Sequence, residues 1–81
     1  MNKARLEIMK LAYETAIRFL EIAAEDIETN VSSTIKSLNM EGADAGFLSG
    51  KIEGLSVAKK SVDRKRISLK KTLEEISQID A

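Results

Sequence analysis

Apolar residues recur at three- and four-residue steps without interruption from Leu6 to Leu38, through Met9, Tyr13, Ala16, Ile17, Leu20, Ala24, Ile27, Val31 and Ile35. That spacing returns side chains to one face of a helix with about 3.6 residues per turn. The face is roughly 100° wide, the width of a stripe that meets a neighbouring helix. The opposite strip is polar, with Lys3, Glu7, Lys10, Glu14, Arg18, Glu21, Glu25 and Glu28, and Glu14 and Arg18 stand in the favourable i,i+4 order. The spacing predicts one long helix over residues 2 to about 40. Its weak part is "TNVSST", residues 29 to 34, where poor helix formers predict a kink or break.

A second helix is predicted over residues 44 to 79. Its apolar stripe is Phe47, Leu48, Leu55, Ala58, Val62, Leu69, Leu73 and Ile76, with Ile52 at the edge. Asp44 is the candidate N-cap, and Gly42 is the candidate C′ residue that ends the first helix in a positive-φ conformation. A turn over residues 41 to 44 is short, so the helices are expected to be antiparallel neighbours, each roughly 50–55 Å long at about 1.5 Å per residue. The fold class is therefore all-α: a long antiparallel two-helix hairpin forming a single helical domain over residues 1 to 81. In such a hairpin, positions whose numbers sum to about 87 face each other. Acidic Glu21, Glu25, Asp26 and Glu28 then lie opposite the neighbourhood of Lys59, Lys60, Arg64, Lys65 and Arg66. Charge played no part in placing the helices, so the match is an independent consistency check.

A chain of 81 residues holds a core that rarely supplies more than about 3–5 kcal/mol, so staples matter. The sequence has no cysteine and no histidine, which excludes disulfides, thiolate chemistry, zinc sites of the Cys/His type and the usual general base. The remaining staple is oligomerisation, and the expected assembly is an oligomeric helical bundle with coiled-coil character. Basic and acidic residues number 13 each, so the formal net charge is zero and gives no global attraction to nucleic acid or acidic membranes. "MNKARLEIMK" is charged among its apolar residues and no long uncharged run follows, so neither a signal peptide nor a membrane span is expected. Cytoplasmic residence is the default expectation.

The first helix carries a second apolar stripe, read as lying on the flank of the main face: Ile8, Leu11, Ala12, Phe19, Ile22 and Ala23. Beyond residue 25 that flank turns polar, with Asp26, Asn30, Ser33 and Ser37. One partner helix cannot cover both stripes. The second is a candidate oligomer interface, unless a kinked chain folds back into a three-helix bundle and buries it. On the interface reading, Phe19→Glu or Ile22→Glu is expected to dissociate the oligomer or cripple folding.

All four glycines fall in "GADAGFLSGKIEG", residues 42 to 54, one every four residues. Gly46, Gly50 and Gly54 would each cost up to about 1 kcal/mol relative to Ala inside a helix. They form a ridge that continues through Val57, Ser61, Ser68 and Thr72. Three readings stand. The glycines belong to a loose loop and the helix starts at Ser49 or later; or they allow close helix packing, within the hairpin or between chains; or they seat a ligand. Close packing makes Gly50→Leu disruptive by steric exclusion. The spacing does not meet the Walker pattern, and no strand precedes it.

"KKSVDRKRISLKK", residues 59 to 71, has seven basic residues and one acidic. Lys59, Lys60, Arg64, Lys65, Arg66 and Lys70 are candidate phosphate contacts for nucleic acid or small phosphate-bearing ligands. The competing reading is a solvated face paired with the acids of the first helix. Lys59, Arg66 and Lys70 cluster beside the apolar stripe, Lys60, Arg64 and Lys71 lie well away from it, and no aromatic is interleaved for base stacking. Glu21, Glu25 and Glu28 form an acidic ridge, but a carboxylate metal site in a bundle normally adds histidine, so no metal is expected. Serines lack a histidine partner and nothing marks a Ser–Lys dyad. No enzyme activity and no cofactor are expected.

"AGFLSGKIEGL", residues 45 to 55, resembles a pattern in small helical proteins encoded by bacteriophages and prophages, in which an aromatic-Leu-x-Gly-x-Ile segment opens the second helix of a hairpin. The resemblance covers these 11 residues and implies no particular activity; it implies a viral accessory protein, either a virion component or a protein that binds and blocks a host factor in the host cytoplasm. The sequence as a whole predicts a non-enzymatic interaction protein whose partners are itself and another protein. The rival is a binder of phosphate-bearing ligands. A third option is a subunit of a larger assembly whose other members cover its apolar stripe.

Overall fold

The computed structural model describes residues 2–80, the side chain of Asp80 excepted. Met1 and Ala81, the ends of the domain expected over 1 to 81, lie outside the described residues. Two helices, α1 (Lys3–Leu38) and α2 (Ala45–Asp80), pack along each other as a hairpin 61 × 14 × 14 Å in extent. Each has 36 residues, which at 1.5 Å per residue is about 54 Å of helix.

The ends are set by local chemistry. Asn2 caps α1, its side-chain oxygen accepting from Ala4 N–H at 2.8 Å. At the far end Asn39 N–H reaches the carbonyls of Ile35 and Lys36, and Met40 N–H that of Ser37, which satisfies the last carbonyls of the helix. Gly42, at φ 81°, turns the chain. It sits within the connection, three residues beyond the Asn39 cap, and not at the C′ position expected for it. Asp44 caps α2 by accepting from Phe47 N–H at 3.0 Å, so the helix begins at Ala45 and the loose-loop reading with a start at Ser49 is overturned.

"TNVSST" does not break α1, which runs through it. Its polar side chains turn back on the helix itself: Thr29 Oγ1 donates to the Glu25 carbonyl at 3.0 Å, Asn30 Nδ2 to Asp26 at 3.0 Å, and Thr34 Oγ1 to Asn30 at 2.7 Å. Bonded to carbonyls one turn back, these groups do not compete with the backbone ladder.

Half-buried Met9, Ala16, Glu21, Ala23, Ser37, Asp63 and Thr72 flank a seam whose positions alternate by four and three. On α1 the seam positions are Leu6, Lys10, Tyr13, Ile17, Leu20, Ala24, Ile27, Val31, Thr34 and Leu38; on α2 they are Leu48, Ile52, Leu55, Lys59, Val62, Arg66, Leu69, Leu73 and Ile76. Five expected core members fall off this seam: Met9 and Ala16 are half-buried at its edge, and three are exposed. Phe47 is 67% exposed, Ala58 is exposed, and Ile35 is 45% exposed. Thr34, at 3%, is buried in place of Ile35 because the four–three step from Val31 to Leu38 passes through position 34. The core is thin: Leu6, Ile17, Ala24 and Ile76 are the buried apolar residues among those described.

Candidate functional site: the outer face of α1

The seam shields one stripe of each helix and leaves the rest of a rod 14 Å thick in water. On α1 the unshielded side is not uniformly polar. Ile8 is 67% exposed, Leu11 63%, Phe19 67% and Ile22 39%; Ala12 is exposed and Ala23 half-buried. The structure places this second stripe on the side turned away from α2, where a flank position was expected. The expected alternative of a three-helix bundle that buries it is overturned, because the described residues form two unbroken helices.

Ile8, Leu11, Ala12, Thr15, Ala16 and Phe19 line one shallow apolar groove along this face. A second groove shares Leu11, Thr15 and Phe19 and is bounded by Glu14 and Arg18. Thr15 therefore sits at the centre of the patch. Its position four residues from both Leu11 and Phe19 is the sequence signal that would have found it. Arg18 pairs loosely with Glu21 at 3.6 Å, and its side chain is largely in solvent.

Midway along the hairpin lies a polar groove lined by Glu21, Ala24, Glu25, Glu28, Lys59, Asp63 and Arg66. Here the seam of α2 carries Lys59 and Arg66 in place of aliphatic residues. Lys59 Nζ donates to Glu28 Oε1. Lys70 Nζ lies 3.6 Å from Glu21 Oε1, and Arg66 reaches Asp63 one turn away at 3.5 Å. The hydrogen bond from Lys59, and then its charge, hold the Glu28 carboxyl below its ordinary value. The same bond and the Glu28 charge raise Lys59 above its own. Among the described residues no group of three acidic side chains is placed to hold a metal ion.

Lys59, Arg66 and Lys70 are thus engaged by acids, two of them across the hairpin and Arg66 within α2. Lys60, Arg64 and Lys65 are exposed, and no ion pair among the described residues involves them. The six candidate phosphate contacts therefore do not form one surface. Lys60 and Arg64 share the outer side of α2 with Lys71, at helical spacings of four and seven.

Gly46, Gly50 and Gly54 are exposed on α2. A Cβ at Gly50 or Gly54 would meet nothing within 4 Å, and one at Gly46 would touch only the Asp44 carboxylate, at 3.7 Å. Close packing of this ridge within the hairpin, and with it the steric exclusion expected of Gly50→Leu inside one chain, is overturned. The register explains it, since the seam takes Leu48, Ile52 and Leu55 and leaves the glycines facing outward.

Comparison with protein-family models, curated proteins and solved structures gives no match. Among the described residues no helix is long and apolar enough to cross a membrane.

Proposed function

We propose that this chain is a non-enzymatic interaction protein that works by burying the outer stripe of α1 against a protein surface, with another copy of itself as one partner. One observation carries the reading: a complete hairpin still leaves Ile8, Leu11 and Phe19 each more than 60% exposed in one contiguous patch. Single exposed apolar residues are ordinary, whereas a contiguous patch on a small protein marks an interface. Its thin core adds a reason for association, since a chain of this size normally needs a staple and has no cysteine with which to make one.

On this reading the four–three seam is that of an antiparallel coiled coil, and the assembled form is a helical bundle. The resemblance of residues 45 to 55 to phage and prophage hairpin proteins supports an accessory role in a host cytoplasm, in a virion or on a host factor. Light scattering across a dilution series tests the reading. A mass above 8.9 kDa that falls on dilution, and falls at all concentrations in Phe19→Glu, supports it. A stable monomer that also retains no protein from its host refutes it.

A second reading rests on the outer side of α2, where Lys60, Arg64 and Lys71 share a face. It makes the chain a binder of nucleic acid or of phosphate-bearing ligands. Affinity for a phosphate polymer would then fall steeply from low to moderate salt, while apolar association would not.

A further inference from the structure

We propose that the α1 outer stripe is covered by the same stripe of a second copy, running antiparallel about a two-fold axis at Thr15. The proposal rests on the reading of this stripe as an interface and specifies how it is filled. The stripe is palindromic. Leu11 and Phe19 each stand four residues from Thr15, and Ile8 and Ile22 each stand seven. Steps of four and seven keep side chains on one helix face. A two-fold axis across α1 at Thr15 therefore sets Leu11 against the second copy's Phe19 and Ile8 against its Ile22, each contact made twice, as a self-complementary patch requires.

Charge decides the direction. In an antiparallel pair like flanks meet, so Glu14 of one copy comes beside Arg18 of the other, twice. The opposite flank carries Ala12, Ala16 and Ala23, small enough for close approach. A parallel pair would lay the Glu14–Arg18 flank against the alanine flank and leave those charges without a partner across the interface. Further out, the same flank brings Glu7 toward the second copy's Glu25 as like charges, which ends the favourable contact near Ile8 and Ile22. The stripe from Ile8 to Ile22 is about 21 Å long at 1.5 Å per residue. That footprint is smaller than the roughly 800 Å² per partner of a standard interface, so the pair is expected to dissociate on dilution.

The test uses the absence of native cysteine. Residues on the axis between helices 8–10 Å apart bring their Cα atoms to roughly 4–5 Å, within or close to disulfide reach. Leu11 lies about 12 Å along the helix from its own copy in the antiparallel arrangement. Thr15→Cys and Leu11→Cys are oxidised separately, each at a concentration where light scattering gives a dimer. The expected result is covalent dimer from Thr15→Cys and almost none from Leu11→Cys. Efficient cross-linking of both shows a parallel pair and overturns the proposal. A dimer that neither variant cross-links places the interface elsewhere and overturns it while leaving self-association intact. A monomer at every concentration, for the wild type as well, overturns the proposal and the self-association it rests on.

Discussion

Lys59 on α2 donates a hydrogen bond to the carboxylate of Glu28 on α1, 31 positions earlier in the chain. Their numbers sum to the value that the turn position alone assigns to facing residues, so this contact marks the register of the hairpin. Lys70 and Glu21 extend the same charged edge toward the open end. Exposed pairs of this kind add little to stability, but they disfavour a slipped register that would bring like charges together.

The Lys59–Glu28 contact gives folding a pH dependence of known sign. Glu28 is held below its ordinary value of 4.5, so its contribution is present above that pH and is lost as pH falls through the lower folded-state value. Lys59 is raised above 10.5, so its contribution is complete below that pH and is lost as pH rises through the higher folded-state value. Urea unfolding of wild type and Glu28→Gln is expected to differ at neutral pH and to converge in acid. An undiminished difference in acid would show that Glu28 acts through something other than its charge.

Gly50→Ala and Gly54→Ala are expected to stabilise the hairpin by up to about 1 kcal/mol each, because both positions are helical and a Cβ meets nothing. Gly42→Ala is expected to destabilise it by about 1 kcal/mol, because φ of 81° is unfavourable for any residue with a Cβ. Thermal or chemical unfolding of the three variants checks the opposite signs. Loss of stability at Gly50 would show that another molecule needs the bare backbone there.

Phe19→Glu is expected to leave the monomer folded, since the ring makes no part of the seam and is 67% exposed. Far-ultraviolet circular dichroism at high dilution should match wild type, and only the mass at high concentration should fall. Ile17→Ala, two residues away and 7% exposed, should instead cost about 2–5 kcal/mol by opening a cavity in a core that has little to lose.

Thr34→Val is expected to be neutral or mildly stabilising. The Thr34 hydroxyl is satisfied by the Asn30 carbonyl at 2.7 Å, and that carbonyl keeps its helical backbone partner when the hydroxyl is removed. Replacing a buried polar group by an apolar one of the same shape then changes stability by about 1 kcal/mol or less. A denaturant midpoint well below wild type would assign the hydroxyl a further partner.

The hairpin was legible in the sequence because its period is long and regular. More than thirty residues of three–four spacing leave a helix as the only economical conformation, and Gly42 with Asp44 marks where it must turn. What resisted was local phase. Thr34 reads as polar and Ile35 as apolar, yet the pair's burial is inverted by a seam that advances by strict fours and threes. The apolar stripe read from spacing takes in both Phe47 and Leu48, and Ala58, whereas the register shields Leu48 and Lys59 and leaves Phe47 and Ala58 exposed. In the same way "TNVSST" was weak by propensity and sound in context, because side chains that disrupt a helix by competing for its backbone were bonded one turn back. The outer stripe was visible as a set of residues, but whether it lay beside the seam or behind it depends on the same phase.

A rod 61 Å long and 14 Å across has no interior in the usual sense. Each layer of the seam touches only the layer above and the layer below, so order passes along it as along a zipper. Unfolding is then a matter of where the fastening begins to part. The closed end holds α1 and α2 together through six connecting residues, and the open end is held by packing alone, with Leu6 and Ile76 its buried apolar residues among those described. Amide protection should accordingly rise from the open end toward the turn, as a gradient along one line.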